Sequence, residues 1–148
     1  MSGVLGRALR LVPALWAGML LTVALVATPA PFAVLAVAEA GRVVARILAQ
    51  EAWTSLVLAL ALLAVERRRA QDAAQAGTGS VLSVEMLLLF GAIACTVAGY
   101  FGVQPLLPAA RAGQGSLSFG QLHLISTVCY GVKTLLVLAL AWRRTGAA

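Results

Sequence analysis

Charge is scarce in this chain. Only five of its 148 residues are acidic, and charged residues of both signs make up 11%. Soluble domains carry about 25%, so an ordinary water-exposed surface is excluded. Asparagine is absent, and lysine and histidine occur once each, as Lys133 and His123. A single histidine rules out bis-histidine haem within one chain and leaves a histidine-built zinc centre without ligands. The two cysteines, Cys95 and Cys129, lie far apart in sequence and inside apolar runs, so no zinc spacing is present. No Ser/His/Asp arrangement, Gly-rich phosphate loop or pair of catalytic carboxylates can be assembled. The expectation is a protein that is not an enzyme, with no cofactor and no resident metal.

What is abundant is apolar: 61% of the residues are hydrophobic, and the mean hydropathy is +0.96. A net charge of +6 would suit nucleic acid, but the basic residues cluster at the ends of apolar runs. Membrane topology signals sit there, so the expected partner is the lipid bilayer and not nucleic acid. Ala, Leu, Val and Gly dominate, and ten of the eleven basic residues are arginine. That bias is typical of GC-rich bacterial genomes and points to a bacterial inner membrane.

Four apolar segments stand out, at about residues 9–30, 42–65, 81–103 and 122–142. A hydrocarbon core about 30 Å thick is crossed by about 20 helical residues. The predicted fold is therefore all-α, a single four-helix transmembrane bundle over 1–148. The first segment competes with a signal peptide, with Ala36-Val37-Ala38 as a cleavage site. Its apolar run exceeds the usual 7–15 residues, roughly, so a retained helix is expected, ended or kinked at Pro29 and Pro31. Seven arginines (7, 10, 67, 68, 69, 143 and 144) fall on one side of such a bundle and three (42, 46 and 111) on the other. This split predicts that both termini are cytoplasmic. Residues 66–80 then form a polar cytoplasmic loop. Residues 104–121 form an outer loop whose Pro105-Leu-Leu-Pro108 rests on the bilayer surface.

Lys133 is the twelfth of 21 residues in Leu122–Trp142, which places it about 15 Å from either surface. Its stem reaches roughly 6 Å and cannot snorkel that far, and a cation there costs about 2.5–3.5 kcal/mol. The same helix carries His123, Ser126, Thr127, Tyr130 and Thr134. At about 100° per residue these six fall within an arc of about 120°. The stripe reads either as interhelical hydrogen bonding that fixes the bundle or as a polar path or binding site. Of the acids, Glu51 is the better partner for Lys133. It lies about 8 Å below the outer boundary against about 16 Å for Lys133, and Lys133 leans outward toward it. Glu51 leans outward too, which leaves a gap of several ångströms, so a water bridge and a neutral lysine are the alternatives to a direct pair. Glu85 lies near the inner surface and leans away.

Glu39, Arg42, Arg46, Gln50 and Trp53 share one face at the start of the second helix. This face is either an interfacial start or a basic mouth over the stripe. Gly91, Cys95 and Gly99 form a small-residue packing face on the third helix. Cys95 and Cys129 come out at similar depth, and with Met19 or Met86 they would offer soft ligands to Cu(I).

Phe119-Gly-Gln-Leu-His123-Leu-Ile-Ser126-Thr127-Val-Cys129-Tyr130 resembles the last helix of the transmembrane protein 205-like family, catalogued in bacteria as domain of unknown function 4149. Trp16-x-Gly18, Pro31-Phe32 and Ala40-Gly41 also fit, so the resemblance runs from about Leu11 to Trp142. It implies four transmembrane helices and no established biochemical activity, and it carries over His123 and Ser126. A eukaryotic member is associated with platinum-drug resistance, which implies export or metal handling. Lys133 lies outside the family pattern. Two function classes stay open. One is a small, oligomeric transport or permeation protein using the stripe, Glu51 and Arg46. The other is a non-catalytic subunit that binds another membrane protein.

Overall fold

The computed structural model describes residues 3–146, with side chains from Arg10 onward. Among them there are helices and no strand. The elements are α1 (Gly3–Thr22), α2 (Ala30–Val34), α3 (Val37–Gln75), α4 (Val84–Thr96), α5 (Leu107–Arg111) and α6 (Phe119–Thr145). Two wide-turn π segments follow α1 and α4, at Val23–Ala27 and Val97–Phe101. Four helices are long and apolar enough to cross a membrane: Arg10–Val34, Val37–Gln75, Val84–Arg111 and Phe119–Thr145.

The spans form a ring in chain order. α6 packs against α1 and α4, α3 packs against α4, and α1 touches α3. This leaves α3 and α6 facing each other across one diagonal. Each span presents its inward face at helical spacing. On α3 that face is Ala52, Ser55, Ala59, Leu62, Glu66 and Ala70. Trp16, Ala17 and Leu20 meet it from α1, Leu89 and Ala92 from α4, and Val137 and Leu140 from α6. Lipid is as apolar as these side chains, so close packing and hydrogen bonds hold the spans together. Small residues at the contacts serve that packing.

The helix ends differ from the sequence reading. α3 begins at Val37 and runs to Gln75, so the expected polar loop from residue 66 is largely helix. Its residues (Glu, Arg, Ala and Gln) are good helix formers, and polarity alone does not stop a helix. Gly77, at φ +69°, makes the stop. At about 1.5 Å per residue this 39-residue helix is about 58 Å long, well beyond the hydrocarbon core. α6 starts three residues earlier than the expected 122, at a capping box. The Ser118 side chain accepts from the Gln121 N–H, and the Gln121 side chain accepts from the Ser118 N–H. Pro29 and Pro31 do not end the first span. They sit at the start of α2, where a missing N–H costs nothing, and the chain turns only at the extended Leu35. The third span starts at Val84, behind Ser83 as its N-cap. The Pro105–Pro108 stretch folds as a 3₁₀ turn leading into α5.

Candidate functional site

The bundle end that carries Arg10 and Arg143 is called the terminal end here, and the opposite end, with residues 102–118, the far end. Lys133 and Glu51 sit on the α3–α6 diagonal. Backbones across a diagonal are too far apart for small side chains to meet, so long ones must bridge. Lys133 Nζ donates to Glu51 Oε1 at 2.7 Å, and the two side chains are 3% and 4% exposed. The gap of several ångströms left by the sequence argument is closed. Ser55, one turn beyond Glu51 on α3, donates to the same Oε1 at 2.5 Å. Trp16 Nε1 donates to Ser55 Oγ at 2.9 Å. One buried chain of bonds thus runs from α1 through α3 to α6. The Tyr130 ring centroid lies 4.7 Å from Nζ, within cation–π range. Its hydroxyl donates to the Leu20 carbonyl at 2.9 Å, in the turn before the first π segment.

Beside this pair lies a cavity of about 20 Å³. α3 contributes Leu48 and Glu51 to its wall, and α4 and its π segment contribute Cys95, Thr96, Gly99 and Tyr100. Ser126, Tyr130 and Lys133 close it from α6. Gly99 makes the close approach possible. A Cβ built there would lie 2.4 Å from the Cβ of Cys129. π segments recur where a helix must adapt around a functional site, and one of the two here forms part of this wall.

The predicted stripe divides. Ser126, Tyr130 and Lys133 line the cavity, and Thr134 is buried, donating to the Tyr130 carbonyl. Thr127 is exposed, at the edge of the arc. His123 is exposed close to the far end and stacks on Phe119, whose ring also carries the Arg111 guanidinium at 5.4 Å. Arg46 is exposed and does not line the cavity. Among the described residues, no three of His, Cys, Asp and Glu gather in a way that could hold a metal ion.

Sequence reasoning missed three participants. Ser55 was signalled by its i, i+4 spacing from Glu51. Trp16 carried no signal beyond its place in a short motif. Glu66 continues the inward face of α3 but was read as loop. It is buried and receives Arg144 from α6, again across the diagonal, and Arg69 at 3.4 Å. Arg143 completes this layer by donating to Glu85 at 2.9 Å. Trp142 beside it is exposed, as an interfacial anchor would be.

These features define an integral membrane protein: a four-span helical bundle with an ion pair buried at its centre. A family model, Domain of unknown function (DUF4149), matches residues 11–116, and the chain belongs to that family. The match includes Trp16, Ser55, Glu51 and the α4 wall of the cavity, and ends before α6, which supplies Lys133. Comparison with curated proteins and with solved structures found no match.

Proposed function

We propose that this chain is a small, non-enzymatic membrane protein of the transport or permeation kind, acting as an oligomer through the Lys133–Glu51 site. The observation that carries this reading is a fully buried ion pair on the wall of a cavity, in the middle of a span. Ionisable groups at that depth are costly and are retained where they serve a path or a binding site. Resemblance to the transmembrane protein 205-like family narrows the kind to metal or toxicant resistance. Expression in a sensitised host should lower accumulation of a soft metal or organic toxicant, and Glu51→Gln should restore it. Equal accumulation in both strains, with equal protein levels, removes this reading.

One observation favours a second reading, a subunit that binds another membrane protein. Thr127 and Gly131 lie on the outward side of α6, and nothing lies within 4 Å of a Cβ built at Gly131. Purification from native membrane separates the two. A stoichiometric foreign partner supports the second reading, and a homo-oligomer the first.

The location we propose is a bacterial inner membrane with both termini cytoplasmic, on the seven-to-three arginine split. With Cys95 and Cys129 replaced by Ala, Thr78→Cys should resist an impermeant thiol reagent in intact cells, and Gln114→Cys should react. The reverse pattern inverts the topology.

A further inference from the structure

The Lys133 ammonium has three donors. One goes to Glu51, and the Tyr130 ring takes the cation on its face. No other protein acceptor serves it among the described residues. The adjoining cavity of about 20 Å³ exceeds the ~10–15 Å³ that one water requires. Its walls include the hydroxyl-bearing residues Ser126 and Tyr100 as well as the ion pair. A water there has an ammonium donor, hydroxyl partners and a carboxylate within one small space.

The cavity extends from the pair in one direction. From Lys133 its wall on α6 passes through Tyr130 to Ser126, each about a turn nearer the far end. On α4 the wall climbs from Cys95 and Thr96 to Gly99 and Tyr100, and on α3 from Glu51 to Leu48, in the same sense. Toward the terminal end the pair meets the apolar layer of Ala59, Leu62, Leu89, Val137 and Leu140. Beyond that layer, Arg144 and Glu66 close the diagonal.

We propose that the Lys133–Glu51 site binds a proton, which reaches Glu51 through the water-sized cavity from the far end alone. This names the substrate of the site and rests on the transport reading above. The cavity water takes up a proton from the far-end solvent and passes one to a Glu51 carboxylate oxygen, so the water stays neutral and the site gains one positive charge. The carboxylic acid keeps Ser55 as its neighbour, while the ammonium turns to the water and the Tyr130 ring. The titratable groups around Glu51 are Lys133 and Tyr130 from α6 and Cys95 and Tyr100 from α4. α1 approaches it through Trp16, which bonds to Ser55 on Glu51's own helix, and neither side chain carries a charge.

The test is infrared difference spectroscopy of the full chain in vesicles of sorted orientation, reading the protonated-carboxyl band on acidification. The wild type should show a band that Glu51→Gln lacks, and only when acid faces the far end. Lys133→Gln removes the cation that opposes protonation, so the same band should appear under milder acidity. Glu51→Gln leaving the difference spectrum unchanged, at equal helicity by circular dichroism, overturns the assignment. A Glu51 band raised by acid on the terminal side overturns the direction of access. Toxicant accumulation that ignores Glu51→Gln, with the band intact, removes the transport reading and leaves proton binding standing.

Discussion

Detergent-solubilised Lys133→Met should lose about 3 kcal/mol of stability, because removing one partner strands a buried carboxylate. Ser55 and Trp16 cannot compensate. Both are neutral donors already engaged, Ser55 with Glu51 and Trp16 with Ser55. Glu51→Gln should cost a similar amount by stranding the ammonium, although Gln still accepts from Ser55. The double variant leaves no stranded charge and should recover much of the loss. Thermal denaturation of the four proteins gives the coupling energy, expected at roughly 1–3 kcal/mol. Strictly additive losses would mean that the contact at 2.7 Å does not couple the two spans energetically. A wild-type melting curve for Lys133→Met would mean that the lysine is neutral or watered in the native bundle.

Gly99→Ala should be the most damaging conservative change on the third span. The new methyl would meet the Cβ of Cys129 at 2.4 Å and the Ser126 carbonyl oxygen at 3.6 Å. Neither is the free end of a flexible side chain, so the helices must separate. Overpacking of this kind costs about 1–3 kcal/mol. Gly18→Ala is the control, since nothing lies within 4 Å of a Cβ there. It should be neutral or gain roughly 0.5–1 kcal/mol from the lost flexibility of glycine. Adding Cys129→Gly to Gly99→Ala removes the opposing methylene and should restore part of the melting temperature. It cannot restore all of it, because a mid-helix glycine itself costs about 1 kcal/mol. Equal melting temperatures for Gly99→Ala and Gly18→Ala would refute the close approach.

The four spans were legible because bilayer thickness sets a length that apolar runs must meet. Their ends were not, because the stretch after Val65 reads as polar when hydropathy is scanned and as helix when propensity is. Inward spacing decides between them: Leu62, Glu66 and Ala70 share one face. The Lys133–Glu51 contact was legible from depth together with side-chain direction, since Lys133 leans toward Glu51 while Glu85 leans away. Which neighbours would support the pair was not legible. Ser55 and Trp16 engage it through the azimuth of α3 against α1, which no single helix encodes. The same limit explains the divided stripe. A 120° arc names a face, but the positions of α1 and α4 decide how much of it is covered. His123 and Thr127 fall outside that cover.

Both diagonal ties have a consequence for how the protein is made. α3 carries Glu51 and Glu66, and their partners lie 82 and 78 residues later in the chain. At translation rates of ~5–20 residues per second, the acids leave the ribosome roughly 4–16 s ahead of the bases that will neutralise them. During that interval the second span is a helix whose Glu51 is uncompensated and whose Glu66 has only Arg69 beside it, poorly suited to release into lipid. Arrival of the last span ends that condition at both levels together. α6 is therefore the piece that completes insertion, and the nascent bundle stays open on one side until synthesis reaches Lys133 and Arg144.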